Sequence, residues 1–201
     1  MNNSGKKFTV CSIKGGQGKT SISLNLALEM KYGIITNDCL TPLEQVLPES
    51  DYLKLLPNVK MPTEKELEGA DIIFDMGGYL DERLIPALEM SKCAIIPLSG
   101  DDVLNEEGFV NTLKQIQPYN KNFVIVLNKI EEKEEKEGIK NMLQDYNFPI
   151  FEIKKSKVMK LMFKEKKPIS AFVEEGGLKK YLYSEINDQF KQLIEYIDNI
   201  K

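Results

Sequence analysis

Histidine is missing from this 201-residue chain, which removes imidazole acid–base catalysis and imidazole metal ligation together. Cysteine is scarce. The three thiols, Cys11, Cys39 and Cys93, are odd in number and scattered, with no C-x-x-C pair. They read as reduced thiols of a cytoplasmic protein, not as a disulfide framework or a metal knuckle. Long apolar runs are lacking too. None approaches the roughly 18 residues that a bilayer-spanning helix needs, and no hydrophobic signal region follows the amino-terminal MNNSGKK. These absences predict a soluble protein, one α/β domain over residues 1–201 with a core that needs neither disulfides nor metals.

The most informative stretch that is present runs from Phe8 to Thr20, FTVCSIKGGQGKT. A short apolar and β-branched run, residues 8–13, predicts a strand. Paired glycines stop it, and Gly18-Lys19-Thr20 opens an amphipathic helix with apolar Ile22, Leu24, Leu26, Ala27, Leu28 and Met30. Gly15, Gly16 and Gly18 let backbone N–H groups turn inward with no Cβ in the way. A loop of that kind wraps an anion at a helix N-terminus, where the dipole also favours negative charge. Phosphate is the natural occupant. Lys19 would reach the β- and γ-phosphates, and the Thr20 hydroxyl would ligate Mg²⁺, an ion that prefers a few oxygen ligands beside phosphate. The usual G-x-x-x-x-G-K-[ST] spacing would need glycine at position 13, where this chain has Ile13; the additional feature is Lys14.

Strand and helix patterns then alternate. Residues 33–36 predict a second strand ending at Asn37-Asp38, with the helix before it stopped by Gly33. Residues 39–63, with four prolines, read as an irregular connection holding short helical stretches near 43–47 and 51–55. ADIIFDM (70–76) predicts a buried strand carrying Asp75, followed by Gly77-Gly78. A carboxylate at that end of a buried strand beside a phosphate loop suits the Mg²⁺ shell, usually through water. A helix over 80–91, the strand KCAIIPL (92–98), a helix near 103–117 and the strand NFVIVL (122–127) follow, the last ending in Asn128-Lys129. EEKEEKE (131–137) reads as the solvated start of a helix reaching 146, and 149–153 as a final strand. A short helix with Val158, Leu161 and Met162 beneath a basic rim ends before Pro168. A long helix over 178–200 carries an inward stripe of Tyr181, Leu182, Ile186, Phe190, Leu193, Ile194 and Ile197. The fold class expected is α/β, a mostly parallel sheet with helices on both faces and a P-loop NTPase fold, the nucleotide lying at the carboxyl ends of the strands.

Charge is unevenly spread. The net charge is −4, yet residues 154–167 carry seven lysines and one acid, which leaves the remainder at −10. Lysine runs are commonly solvated faces; the functional alternative is a phosphate-contacting patch.

The form K-G-G-x-G-K-T from Lys14 to Thr20 resembles the deviant Walker A loop of the ParA/MinD family of ATPases. The chain is most similar to its small plasmid-partition type. The resemblance implies ATP and Mg²⁺ as ligands, with Gly15, Gly16, Gln17, Gly18, Lys19, Thr20 and Ser21 binding the nucleotide, and Thr20 and Asp75 serving the metal. It implies that Lys14 reaches the partner's nucleotide across a homodimer formed with ATP. The family's D-x-D-P-Q sequence is matched only by Asp38, the expected orienter of attacking water, and Gly77 and Gly78 resemble a second switch. Asn128 resembles a base-reading residue. The Asn-Lys pair also resembles the N-K-x-D of GTPases, but Glu131 stands at the fourth position and the loop favours ATP. By position and charge, Lys154, Lys155, Lys157 and Lys160 match the non-specific DNA-binding region of partition ATPases. The implied activity is ATP hydrolysis driving plasmid or chromosome partition, with a ParB-like centromere-binding activator. Membrane contact is not expected, because the final helix is acidic, and the ATP-bound protein would associate with the nucleoid. A MinD-like positioning ATPase on a membrane or protein scaffold and a P-loop metabolic ligase remain open alternatives.

Overall fold

Strand β1 (Lys7–Ser12) runs through the middle of the sheet with every residue buried, so both of its faces meet packed side chains. The computed structural model describes residues 5–12, 14–38, 40–47, 53–55, 60–77, 81–99, 106–129, 133–144 and 146–200. Along the chain β1 is followed by α1 (Lys19–Met30), β2 (Gly33–Thr36), α2 (Leu43–Val46), β3 (Leu53–Leu55) and β4 (Ile72–Gly77). Then come α3 (Leu84–Met90), β5 (Cys93–Leu98), α4 (Glu106–Ile116), β6 (Phe123–Asn128), α5 (Lys133–Met142) and β7 (Ile150–Ile153). Helices α6 (Val158–Glu165), α7 (Ile169–Glu174) and α8 (Gly177–Asp198) complete the described chain.

Among the described residues seven strands form one sheet in the order β3-β2-β4-β1-β5-β6-β7, with every neighbouring pair parallel. Successive side chains of a strand point to opposite faces. Phe8, Val10, Ile73, Ile95 and Val124 therefore pack on one side, against residues of α1, α7 and α8. Phe74, Met76, Ile96 and Ile125 pack on the other, against residues of α3, α4 and α5. This is the α/β P-loop fold. From β1 the chain crosses to β2 on one side, whereas β5 pairs on the other, so a crevice opens at the carboxyl ends of the central strands.

Several details differ from the sequence reading. Residues 53–55, expected as part of a helical stretch, form the edge strand β3, paired with Ile34, Ile35 and Thr36. Three residues are too few to show a period, and the open edge of β2 decides their conformation. Helix α1 ends not at Gly33 but at Lys31, which takes the left-handed conformation at φ 59°; Gly33 begins β2 as expected. Helix α7 escaped the periodicity because it is only six residues long. In α8 the stripe Ile186, Phe190, Leu193 and Ile197 is buried as expected, but Tyr181 is 84% and Leu182 46% exposed. Tyr183 turns inward instead, edge-on to Phe172. Residues 100–105, which include the expected start of α4 at 103, and Cys39 lie outside the described residues; Cys11 and Cys93 are buried free thiols.

Helix α1 is fastened to α7 by side chains. Asn25 Oδ1 accepts the Ile169 N–H at 3.0 Å, and the Glu29 carboxylate accepts the Ser170 N–H at 2.9 Å and its hydroxyl at 2.7 Å. The first free amides of α7 are thus satisfied from a neighbouring helix.

Candidate nucleotide site

Between β1 and α1 the loop turns on Gly16 (φ 79°) and Gly18 (φ 85°), both in the left-handed region that glycine enters without a Cβ penalty. Gly18 is doubly constrained. A Cβ there would lie 2.3 Å from Asn128 Nδ2. The loop is held from below by the end of β6, where Asn128 Nδ2 donates to the Gln17 carbonyl at 2.7 Å and Lys129 Nζ to the Gly16 carbonyl at 2.8 Å.

A cleft of about 580 Å³ opens above the loop. Its loop side is formed by Gly15, Gly16, Gly18, Lys19, Thr20 and Ser21, and its strand side by Asn37, Asp38, Asp75, Gly77, Asp81 and Lys129. Nearly all of the expected P-loop set is therefore in one place. Gln17 is the exception, buried beneath the loop. Asp75 is 2% exposed, its Oδ1 accepts the Ser23 hydroxyl at 3.0 Å, and it also receives a hydrogen bond from Thr20. Burial pushes its carboxyl up to about 6, against the opposing pull of the two hydroxyls and of Lys19. Burial also lowers Lys19 from its ordinary value, although the carboxylates of Asp75 and Asp38 partly restore it. Lys19 Nζ donates to the Lys14 carbonyl at 3.2 Å.

Asp38 is exposed at the rim, where its Oδ1 accepts the Leu40 N–H at 3.0 Å and shapes the turn after β2. The Lys14 side chain is half-buried and does not line the cleft of its own chain. Asn128 is 2% exposed, its amide set against the loop rather than lining the cleft; Lys129, in the left-handed conformation at φ 60°, lines it instead. Gly77 closes β4 at the cleft wall, and Gly78 lies outside the described residues. Sequence reasoning did not find Asn37 and Asp81 as cleft residues, because neither carries a motif. Their approach follows from the pairing of β2 with β4.

The residues fit a hydrated Mg²⁺ held in part by phosphate. Among the described residues no group of three or more acids or cysteines is placed to hold a metal alone. A hydroxyl on Thr20 bonded to a buried carboxylate, beside a glycine loop at a helix N-terminus, matches an ion that keeps several waters and few protein ligands.

The expected DNA-contacting lysines follow β7, whose carboxyl end lies on the same edge of the parallel sheet as the cleft. Lys154 is engaged, its backbone N–H with Gln189 at 3.0 Å and its ammonium with Glu185. Lys155, Lys157 and Lys160 are exposed. Among the described residues no helix is long and apolar enough to cross a membrane.

A parallel α/β sheet with this glycine loop, and with acids at the neighbouring strand ends, is the architecture of the P-loop fold. Solved structures share this fold. An ATP complex of McdA from Cyanothece has a TM-score of 0.68 at 15% identity, over 98% of this chain and 97% of that one. MinD from Pyrococcus horikoshii with Mg-ADP has a TM-score of 0.65 at 19% identity, over 96% of each chain. A putative plasmid partition protein from Borrelia burgdorferi, bound to AMPPNP, has a TM-score of 0.61 at 16% identity, over 96% of this chain and all of that one. No protein-family model and no curated protein matches the sequence. The chain has the fold of the ParA and MinD ATPases.

Proposed function

We propose that this chain is a single-domain ATPase of the ParA/MinD type that binds Mg-ATP in the cleft and closes into a homodimer. In that state it binds DNA non-specifically, and a ParB-like activator stimulates hydrolysis to release it, the work being plasmid or chromosome partition. The observation that carries this reading is the convergence of Lys19, Thr20, Asp38 and buried Asp75 on one cleft above a glycine loop. The nucleotides bound to the similar structures support it.

Phosphoryl transfer asks little covalent work of a protein, so catalysis is chiefly positioning and charge. Lys19 would neutralise charge on the β- and γ-phosphates, and Asp38 at the rim would orient the attacking water. Asp75 would hold the Thr20 hydroxyl and the metal's waters. Thr20, with Asp75 behind it, would hold Mg²⁺, which when bound would supply positive charge to offset that of the phosphates. Lys14, which does not line the cleft of its own chain, would serve a facing copy, so turnover would be slow until the dimer forms. Gly77 and Gly78 would report the γ-phosphate, and Asn128 would support the loop beneath the base.

Sedimentation and fluorescence anisotropy with a random duplex, in ATP, ADP and no nucleotide, test this reading, with Lys14→Ala alongside. Binding that requires ATP and is lost in Lys14→Ala is expected. An ATP-dependent dimer that ignores DNA at low salt would end the partition reading. It would favour the second one, a MinD-like positioning ATPase on a membrane or protein scaffold.

A further inference from the structure

Asn37 is 8% exposed and sits immediately after β2, facing the end of β4. Its side chain occupies both backbone groups of Gly77. The Gly77 N–H donates to Asn37 Oδ1 at 2.8 Å, and Asn37 Nδ2 donates to the Gly77 carbonyl at 2.8 Å. The same Nδ2 also donates to Asp81 Oδ2. These partners fix the amide's orientation, since a flipped amide would set NH₂ against N–H and oxygen against two acceptor oxygens.

Asp81 is itself held. Arg83, the only arginine of the chain, donates through Nε to Oδ1 at 2.8 Å and through Nη2 to Oδ2 at 2.6 Å, and its backbone N–H reaches Oδ1 at 2.9 Å. The side-chain hydrogen bonds from Arg83 are the chief cause holding the Asp81 carboxyl down at about 2, so it stays ionised at neutral pH. Arg83, Asp81, Asn37 and Gly77 therefore form one hydrogen-bonded chain across the mouths of β2 and β4.

Gly77 lines the cleft beside Lys19, the residue expected to reach a terminal phosphate. A Cβ built on it would stand 4.0 Å from Lys19 Cε and 3.8 Å from Asn37 Oδ1, both ordinary contacts, and its φ is not in the left-handed region. Neither backbone strain nor crowding in this conformation demands glycine here. A phosphate oxygen that takes the Gly77 N–H must displace Asn37 Oδ1 from it.

We propose that Asn37, oriented by Asp81, is a clamp on Gly77 that competes with the γ-phosphate and thereby sets the discrimination between ATP and ADP. Asn37 and Asp81 are positioning residues in this scheme. The clamp opposes a triphosphate, which needs the Gly77 N–H, and leaves a diphosphate, which does not reach it, almost unaffected. It deepens the ATPase reading above and rests on it.

The test is equilibrium titration of AMPPNP and ADP, each with Mg²⁺, into wild type, Asn37→Ala and Asp81→Asn, with thermal melts to verify folding. Losing one competing hydrogen bond should raise the preference for AMPPNP over ADP about three- to ten-fold in Asn37→Ala, with a smaller rise in the same direction in Asp81→Asn. A merely structural role would shift both affinities together and leave their ratio alone. If wild type binds both nucleotides and the ratio is unchanged or falls in the folded variants, the clamp is wrong. If wild type binds neither, the nucleotide-site reading fails and the clamp goes with it. Should Asn37→Ala not fold, Asp81→Asn decides by the same ratio.

Discussion

At the scale of single residues, the cleft holds one carboxylate that the fold keeps at a cost. Asp75 is buried, and its folded-state value near 6 stands above the ordinary 3.8. The native state therefore binds this proton more tightly than the unfolded chain, and the stability attached to it is full below pH 4, declining as pH rises from about 4 to 6. Above that window the ionised group costs on the order of 3 kcal/mol, two pH units converted at about 1.4 kcal/mol each. Asp75→Asn should consequently raise urea resistance at pH 7.5 and show little difference from wild type near pH 4, while impairing Mg-nucleotide binding. Equal stabilities at both pH values would contradict the assignment. That Asp75 belonged to the site was legible from an acid inside an apolar run. That Asn37 and Asp81 face it was not, because their approach depends on the β2–β4 pairing, in which Thr36 aligns with Asp75.

At the scale of elements, α1 joins the glycine loop to α7, the helix that follows the basic segment. Its N-terminus carries Lys19 and Thr20, and two and a half turns later Glu29 caps α7 through the Ser170 N–H and hydroxyl. A carboxylate near a helix N-terminus gains from the exposed amides and from the dipole. Glu29→Ala should destabilise the protein by about 1.5–3 kcal/mol, the range for hydrogen bonds to a charged group. Hydrogen exchange should rise first in α6 and α7; a rise confined to α1 would refute the coupling. The periodicity of α1 made its inward face readable, with Ile22, Leu24 and Leu26 all buried. The partner of Glu29 was not readable, since Ser170 lies 141 residues away in a helix too short to announce itself.

At the scale of the whole molecule, the charge asymmetry acquires a direction. All the strands are parallel, so the lysines beyond β7 lie on the cleft's edge of the sheet. A dimer closed over the cleft would bring two such segments toward the same side. Not all of these lysines are equivalent, because the Lys154 ammonium is engaged by Glu185 while Lys157 and Lys160 are exposed. If DNA lies there, removing Lys157 and Lys160 together should lower the slope of log affinity against log salt by about 1–2, equally for any duplex sequence. Lys154→Ala should change it less. An unaltered slope in the double variant would move the contact elsewhere on the surface.

Local chemistry determined the parts of this protein that short segments can specify. The glycine loop needs backbone that only glycine supplies cheaply, buried parallel strands need unbroken apolar runs, and a helix displays its inward face by period. β1, α1, β2, β4, β5 and β6 were legible for these reasons, as were Lys19, Thr20 and Asp75. Tertiary structure alone decided the rest. Edge pairing made a strand of residues 53–55, packing of α7 under α8 turned Tyr183 inward and left Tyr181 in solvent, and the β6 terminus set Asn128 beneath Gly18. The same holds for the bond of Asn37 to Gly77, forty residues away. Each of these is a contact between segments distant in sequence, and its energy exists only once the sheet has ordered them.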